Sequence, residues 1–380
     1  MTSVSRFWRA AALLMLVAFC GVAETQKDTA RLADHLRAVQ GKNMLSAAEY
    51  GSLQMEYLNW IDTRLRASHS TDSMNGELKA VGLFADWLPD EDVFFGSLAG
   101  YLEPLSTRRV RGAGDLLVIK AGIYKGAFCS LDDTAILYQG APLHRLTHFN
   151  AGPDYAYRLS GLDAGEKDAA GRRLLGSGWT ASNCTSSWNG KRIRVDRLSG
   201  NSLENLFARA LAAKSRYLED DISVRAQSDG VTFWYEGGLG DLTLLSGPAV
   251  ARYRLAGDHL VRDLPVALTR AGFMHEWLEM DDAEVVRWSD APAVKVHAEV
   301  ASAFQNQVFG WARVAQCGGS PPVWEVGVRI DELKRQYVFQ IRGSRATELR
   351  MSAISDRWTP SCTPIDIENS LASVASELPW

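Results

Sequence analysis

The sequence predicts an α+β fold: a helical N-terminal portion, then two antiparallel β-rich units with flanking helices, with signs of a duplicated unit. Three observations carry this. Apolar residues recur at helical spacing up to about residue 105, and from Gly112 the pattern changes to short alternating runs. Clusters of Gly, Pro, Asn and Asp punctuate those runs, as at Gly152-Pro153-Asp154. A composition of 46% hydrophobic and 23% charged residues supports a real core and is far from that of a disordered chain.

The first 23 residues read as an export signal. Arg6 and Arg9 precede the apolar run 10–19, and Gly21-Val22-Ala23 places small residues just before the polar Glu24. The uncharged stretch 10–23 has 14 residues, short of the roughly 20 a spanning helix needs. The expectation is therefore a cleaved signal of bacterial style and a mature chain with no transmembrane segment, periplasmic or secreted. Lipid anchoring through Cys20 is disfavoured, because the bulky Phe19 precedes it. Loss of Arg6 and Arg9 takes the net charge from −4 to −6. A mildly acidic chain without Lys/Arg blocks argues against a nucleic-acid partner and against an anionic membrane surface.

Residues 24–221 form the expected first domain. A helix over 30–40 puts Leu32, Leu36 and Val39 on one face before Gly41. Ser46 and Glu49 make a capping box for a helix with the stripe Tyr50, Leu53, Tyr57, Ile61 and Leu65. A short helix is expected over 77–88, and Arg108 to Arg111 as a solvated connector. Strands follow at 116–124, 135–138, 155–159, 174–181 and 193–195, with Asn189-Gly190 as a hairpin tip. Residues 201–221 carry Asn201 and Glu204 as a capping pair and Leu203, Leu206, Phe207, Ala210 and Leu211 as a stripe, which predicts a connecting helix.

Residues 222–380 form the expected second domain. A meander is predicted from strands at 231–235, 242–245, 250–255 and 260–264, with turns at 237–241 and 256–258. Helices are expected over 269–279 and 292–305, strands at 309–315, 323–330, 337–341 and 349–354, and a last helix over 365–378.

Four cysteines follow the signal: Cys129, Cys184, Cys317 and Cys362. In an exported chain an even count implies two disulfides, and four cysteines allow three pairings. An internal resemblance selects among them. Trp179-Thr180 before Cys184 parallels Trp358-Thr359 before Cys362, and Gly122 precedes Cys129 by the same spacing as Gly310 precedes Cys317. A duplicated unit would pair Cys129 with Cys184 and Cys317 with Cys362. Each bridge would then close a loop worth about 4 kcal/mol in the chain-entropy model.

Chemistry is sparsely written. G-x-S-x-G, H-E-x-x-H and the phosphate-loop pattern are absent from the mature chain, and no cofactor is expected. His144 and His148, with Asp154, are the candidates for an acid–base site; on a regular strand an i, i+4 pair is about 13 Å apart, too far for one metal ion. His275 and Glu279, one helical turn apart beside Glu276, Asp281 and Asp282, are the alternative metal ligands, set against the solvated face of a helix whose apolar face is Phe273, Met274, Trp277 and Leu278. Trp188, Trp288 and Trp311 are the candidates for stacking on a sugar or anchoring a partner. The expected function is that of an exported, non-catalytic protein binding an envelope protein or a glycan. The alternatives are a periplasmic or secreted hydrolase and a structural envelope component.

Overall fold

A computed structural model describes residues 27–38, 45–84, 86–87, 98–99, 102–110, 113–124, 131–151, 157–181, 189–215, 222–237, 247–267, 269–304, 309–330, 333–344 and 348–365. The fold is mixed α+β and mostly β, its strands pairing antiparallel. It divides into two compact units, 1–159 and 160–380. Among the described residues no helix is long and apolar enough to cross a membrane. Residues 1–23, expected to form a signal, Cys129, Cys184, Asp154, Trp188, the turn beyond Gly237 and the run 242–245 lie outside the described residues.

The first unit lays helices on a sheet. Helices α1 (27–38), α2 (Ala47–Arg66) and α3 (Thr71–Ala80) precede the short pair β1 (Asp86–Trp87) and β2 (Leu98–Ala99). A four-stranded meander follows: β3 (Ser106–Val110), β4 (Ala113–Tyr124), β5 (Leu131–Gln139) and β6 (His144–Phe149). The Ser46–Glu49 capping box is formed, and Tyr50, Leu53, Tyr57, Ile61 and Leu65 are all buried. They meet Leu32 and Leu36 of α1 and Ile119, Ile136 and Tyr138 of the sheet. Helix α3 begins earlier than the expected 77–88, because the Ser70 hydroxyl accepts the Ser73 N–H at 3.2 Å and so caps a helix there. Arg108 and Arg109 belong to the exposed edge strand β3, not to a connector.

In the second unit β7 (Tyr157–Ala164), which begins before the division, β8 (Arg173–Ala181), β9 (Asn189–Ser199) and β10 (Ser202–Ser215) form one meander. β11 (Ser223–Ala226), β12 (Gly230–Gly237), β13 (Gly247–Ala256) and β14 (His259–Ala267) form a second. Ile193, Val195 and Leu211 of the first pack on Val231, Phe233 and Tyr253 of the second. Helices α4 (Arg270–Leu278), α5 (Asp282–Trp288) and α6 (Ala291–Phe304) then lie on a five-stranded sheet. That sheet contains β15 (Phe309–Cys317), β16 (Val323–Ile330), β17 (Arg335–Arg342), β18 (Arg350–Ser355) and β19 (Thr363–Ile365), with β19 paired to β15.

Several expectations are corrected. The connecting helix over 201–221 is strand β10 through Ser215, paired with β9 with register shifts at Asn205/Phe207 and Leu211/Ser215. Gly200 and Asn201 form a two-residue turn between Ser199 and Ser202, with Gly200 at φ +56°, the positive φ a primed hairpin turn requires. Leu203 and Leu211 satisfy a period of two as well as one near 3.6, and the neighbouring ladder chose between them. Asn189 and Gly190 open strand β9, with Asn189 paired to Ser215 of β10, rather than forming a hairpin tip. Ile365 belongs to strand β19, and the rest of the expected last helix, 366–378, lies outside the described residues. The segments of the presumed duplication occupy unlike elements: Trp179 is in β8, whereas Trp358 follows β18. Short alternating strands resemble one another by pattern alone.

Candidate functional site

Helix α4 positions the densest cluster of perturbed ionisable groups. Thr269 caps it, its hydroxyl accepting the Gly272 N–H at 2.6 Å. Phe273, Met274 and Trp277 face the core over β15–β19, as the sequence predicts. The polar face is not solvated: α4 also packs on β13 and β14, which covers it. Glu276 is 7% exposed and pairs with the buried Arg262 of β14. Arg209 of β10 donates to the Glu279 carbonyl at 2.7 Å and lies 3.5 Å from its carboxylate. The imidazole Nε2 of His275 stands 3.7 Å from Glu279 Oε1.

Burial sets the proton affinities here. It pushes the Glu276 carboxyl up to about 7 against the pull of Arg262 and Arg209. It lowers His275, so the imidazole is neutral near pH 7, with Glu279 opposing the shift. Burial also raises the Tyr253 and Tyr235 hydroxyls. Glu276 Oε2 and His275 Nε2 are buried and make no hydrogen bond. A carboxyl that exchanges its proton near neutrality beside two guanidinium groups suits general acid–base work. His275 and Glu279 supply two metal ligands. Among the described residues no third His, Cys, Asp or Glu joins them at ligating distance, and Arg209 places a positive charge against Glu279.

The first unit carries a second buried cluster, on β5. Asp132 and Asp133 are both 0% exposed, and as strand neighbours they point to opposite faces. Asp132 accepts the Tyr50 hydroxyl at 2.7 Å and the Tyr157 N–H at 3.2 Å. Asp133 accepts the Leu159 N–H at 2.7 Å and lies 3.4 Å from the Lys120 ammonium, which Glu103 shares at 3.5 Å. Burial raises the Asp133 carboxyl to about 6 although Lys120 opposes it. The sequence reading missed this pair. Two adjacent acids inside an otherwise apolar strand were the available signal.

The remaining sequence candidates do not converge. His144 pairs with Gln139 and His148 with Ile136, across a bulge at Leu137/Tyr138. Gln139 and Ile136 are three residues apart, so the two histidines face opposite sides of the sheet. His144 is exposed; burial and Arg145 lower His148, which lies near Asp62 of α2. Trp288 is not a surface ring: it is 8% exposed, part of the α4–α6 core, with Arg287 over its face. Trp311 lies on the backbone of β15. Cys317 and Cys362 are joined by a disulfide one residue beyond the Gln316–Thr363 pair, tying β15 to β19.

The fold and its cystine thus define a protein of mixed α+β class, mostly antiparallel β, with the Cys317–Cys362 bridge tying β15 to β19 of its last sheet. No protein-family model matches the chain, and no curated protein matches it in sequence.

Proposed function

We propose that this chain is exported to the periplasm or beyond and works there as a non-catalytic binding protein of the cell envelope. The observation that carries the reading is the Cys317–Cys362 bridge, since structural disulfides persist in oxidising compartments. The reading of residues 1–23 as a signal supports it. The Asp132–Asp133 cluster supports it too, because its acids are held by a tyrosine, a lysine and two backbone amides of the chain itself. Trp358 offers a partly exposed ring for a glycan or an envelope protein. It lies on Gly327, where a Cβ would stand 2.2 Å from the indole, and Arg313 covers it at 5.1 Å. Expression of the full chain in a bacterial host, with fractionation, alkylation and intact-mass measurement, tests the export claim. The expected product is periplasmic or secreted, begins at Glu24 and has no alkylatable thiol before reduction. A cytoplasmic product that keeps residues 1–23 and has all five cysteines alkylated overturns it. For binding, Trp358→Ala is expected to abolish retention on isolated cell-wall glycan; equal retention removes Trp358 from the reading.

A second reading, an envelope hydrolase, is favoured by one observation: Glu276 keeps a proton up to about pH 7 with one carboxyl oxygen unpartnered. Glu276→Gln in a hydrolase screen is its test, with loss of any activity found in the parent as the expected result.

A further inference from the structure

The odd-numbered residues of β16 face away from the helices, and on that side Glu325 meets the disulfide. Trp324, Val326, Val328 and Ile330 belong to the helix-facing core. Glu325 is 0% exposed on the other side. It accepts the Thr359 N–H at 3.0 Å, the Thr359 hydroxyl at 2.6 Å and the Gln340 amide at 3.1 Å. Among the described residues no cationic side chain pairs with it. Buried carboxylates are ordinarily matched by a cation or a bound metal ion. One ligand atom each from Cys317, Glu325 and Cys362 lie within 4.8 Å of one another. In a tetrahedral zinc site, ligand atoms stand about 3.3–3.8 Å apart, from metal–ligand lengths near 2.0–2.3 Å. Glu325 therefore needs to move little, and the two sulfurs need only part by side-chain rotation.

We propose that Cys317, Cys362 and Glu325 form a redox-gated site for a divalent zinc-type ion, closed in the disulfide form and opened by reduction. A dithiol reductant attacks the sulfur of the partly exposed residue Cys362, forms a mixed disulfide and releases the Cys317 thiolate. Its second thiol then displaces Cys362, and the reductant leaves as its own disulfide. The two protein thiols give their protons to solvent as the ion binds two thiolates and the Glu325 carboxylate, with solvent in the fourth position. Borderline metals with thiolate and carboxylate ligands fit zinc better than magnesium or calcium. The cation also supplies the counter-charge that Glu325 otherwise lacks.

The test uses the full chain reduced with a phosphine, which becomes the phosphine oxide. Zinc is added and each cysteine's alkylation is followed by peptide mass mapping. Zinc is expected to slow alkylation of Cys317 and Cys362 at least about tenfold, and unreduced protein is expected to take up no zinc there. Equal alkylation rates at these two cysteines with and without zinc overturn the proposal. Glu325→Gln, which retains hydrogen-bonding capacity, is expected to weaken zinc binding at least about tenfold in competition with a chromophoric chelator. Unchanged affinity removes Glu325 from the site. Should that variant fail to fold, cobalt(II) added to the reduced Cys20→Ser/Cys129→Ser/Cys184→Ser chain decides. A thiolate-to-cobalt charge-transfer band supports the site and its absence overturns it.

Discussion

The two buried acid clusters are built in opposite ways. In the first unit Asp132 and Asp133 are neighbours on one strand, so their side chains leave on opposite faces and hold different things. Asp132 ties helix α2 and the Tyr157 amide; Asp133 ties Lys120 and the Leu159 amide. Asp133 Oδ1, which has no hydrogen bond, lies where a Cβ on Gly122 would come within 2.8 Å of it, so glycine is required opposite. In the second unit Glu276 leaves a helix and meets side chains of separate strands, Arg262 above all. The strand acids are clamps on backbone. The helix acid is held by a side-chain guanidinium, and each cluster leaves one buried carboxyl oxygen without a hydrogen bond, Asp133 Oδ1 and Glu276 Oε2. Two buried acids with similarly raised proton affinity, Asp133 and Glu276, are thus held by backbone in one place and by a side-chain cation in the other.

The largest test of this contrast removes the bridge. Cys317→Ser with Cys362→Ser is expected to lose about 4 kcal/mol from the second unit, the loop-entropy value for a 45-residue separation. Hydrogen exchange should show lost protection in β15–β19 and none in β3–β6. Equal losses in both would break the separation of the units.

Next comes Glu276→Gln. The folded-state carboxyl sits near 7, above its ordinary 4.5, so the folded protein holds the extra proton across that window. The contribution is fully present below pH 4.5 and is lost as pH rises through 7. Relative to the parent, the variant should gain up to about 3 kcal/mol between those limits. Denaturant titrations at several pH values measure it, and a flat difference would refute the raised affinity.

Asp133→Asn is expected to act with the same sign in a lower window, from the ordinary 3.8 to about 6, and by slightly less. Because Asp133 clamps the Leu159 amide, the variant should also lose a pH-independent increment of about 1 kcal/mol; Glu276→Gln should not disturb the backbone. Shared behaviour would erase the distinction between a clamp on backbone and an acid held by a side-chain cation. The smallest effect is expected at Glu299, whose ion pair with Arg335 is exposed on both sides at 3.3 Å. Glu299→Ala should change stability by less than about 0.5 kcal/mol.

Much of the local structure is legible in the residues. The Ser46 capping box, the α2 stripe, the 256–258 turn with Gly257 at φ +65° and the strands β16 and β17 follow from period and turn chemistry. The Cys317–Cys362 pairing agrees with the one the Trp358 resemblance selected, but the duplication behind that selection is not confirmed. The failures share a cause. Residues 202–215 satisfied two periods at once, and only the β9 ladder decided between them. Trp288 looked available because a tryptophan carries no mark of its neighbours.

The sequence by itself determined the mixed class, the caps, the turns and the supply of cysteines, all properties of residues close in the chain. Only the tertiary structure decided that Glu276 is dry, that His144 and His148 face apart, and that Glu325 lies under the Thr359 segment beside a cystine. Those facts depend on desolvation and on strand register. Both are set by partners distant in sequence, such as Arg262 for Glu276 and Thr359 for Glu325.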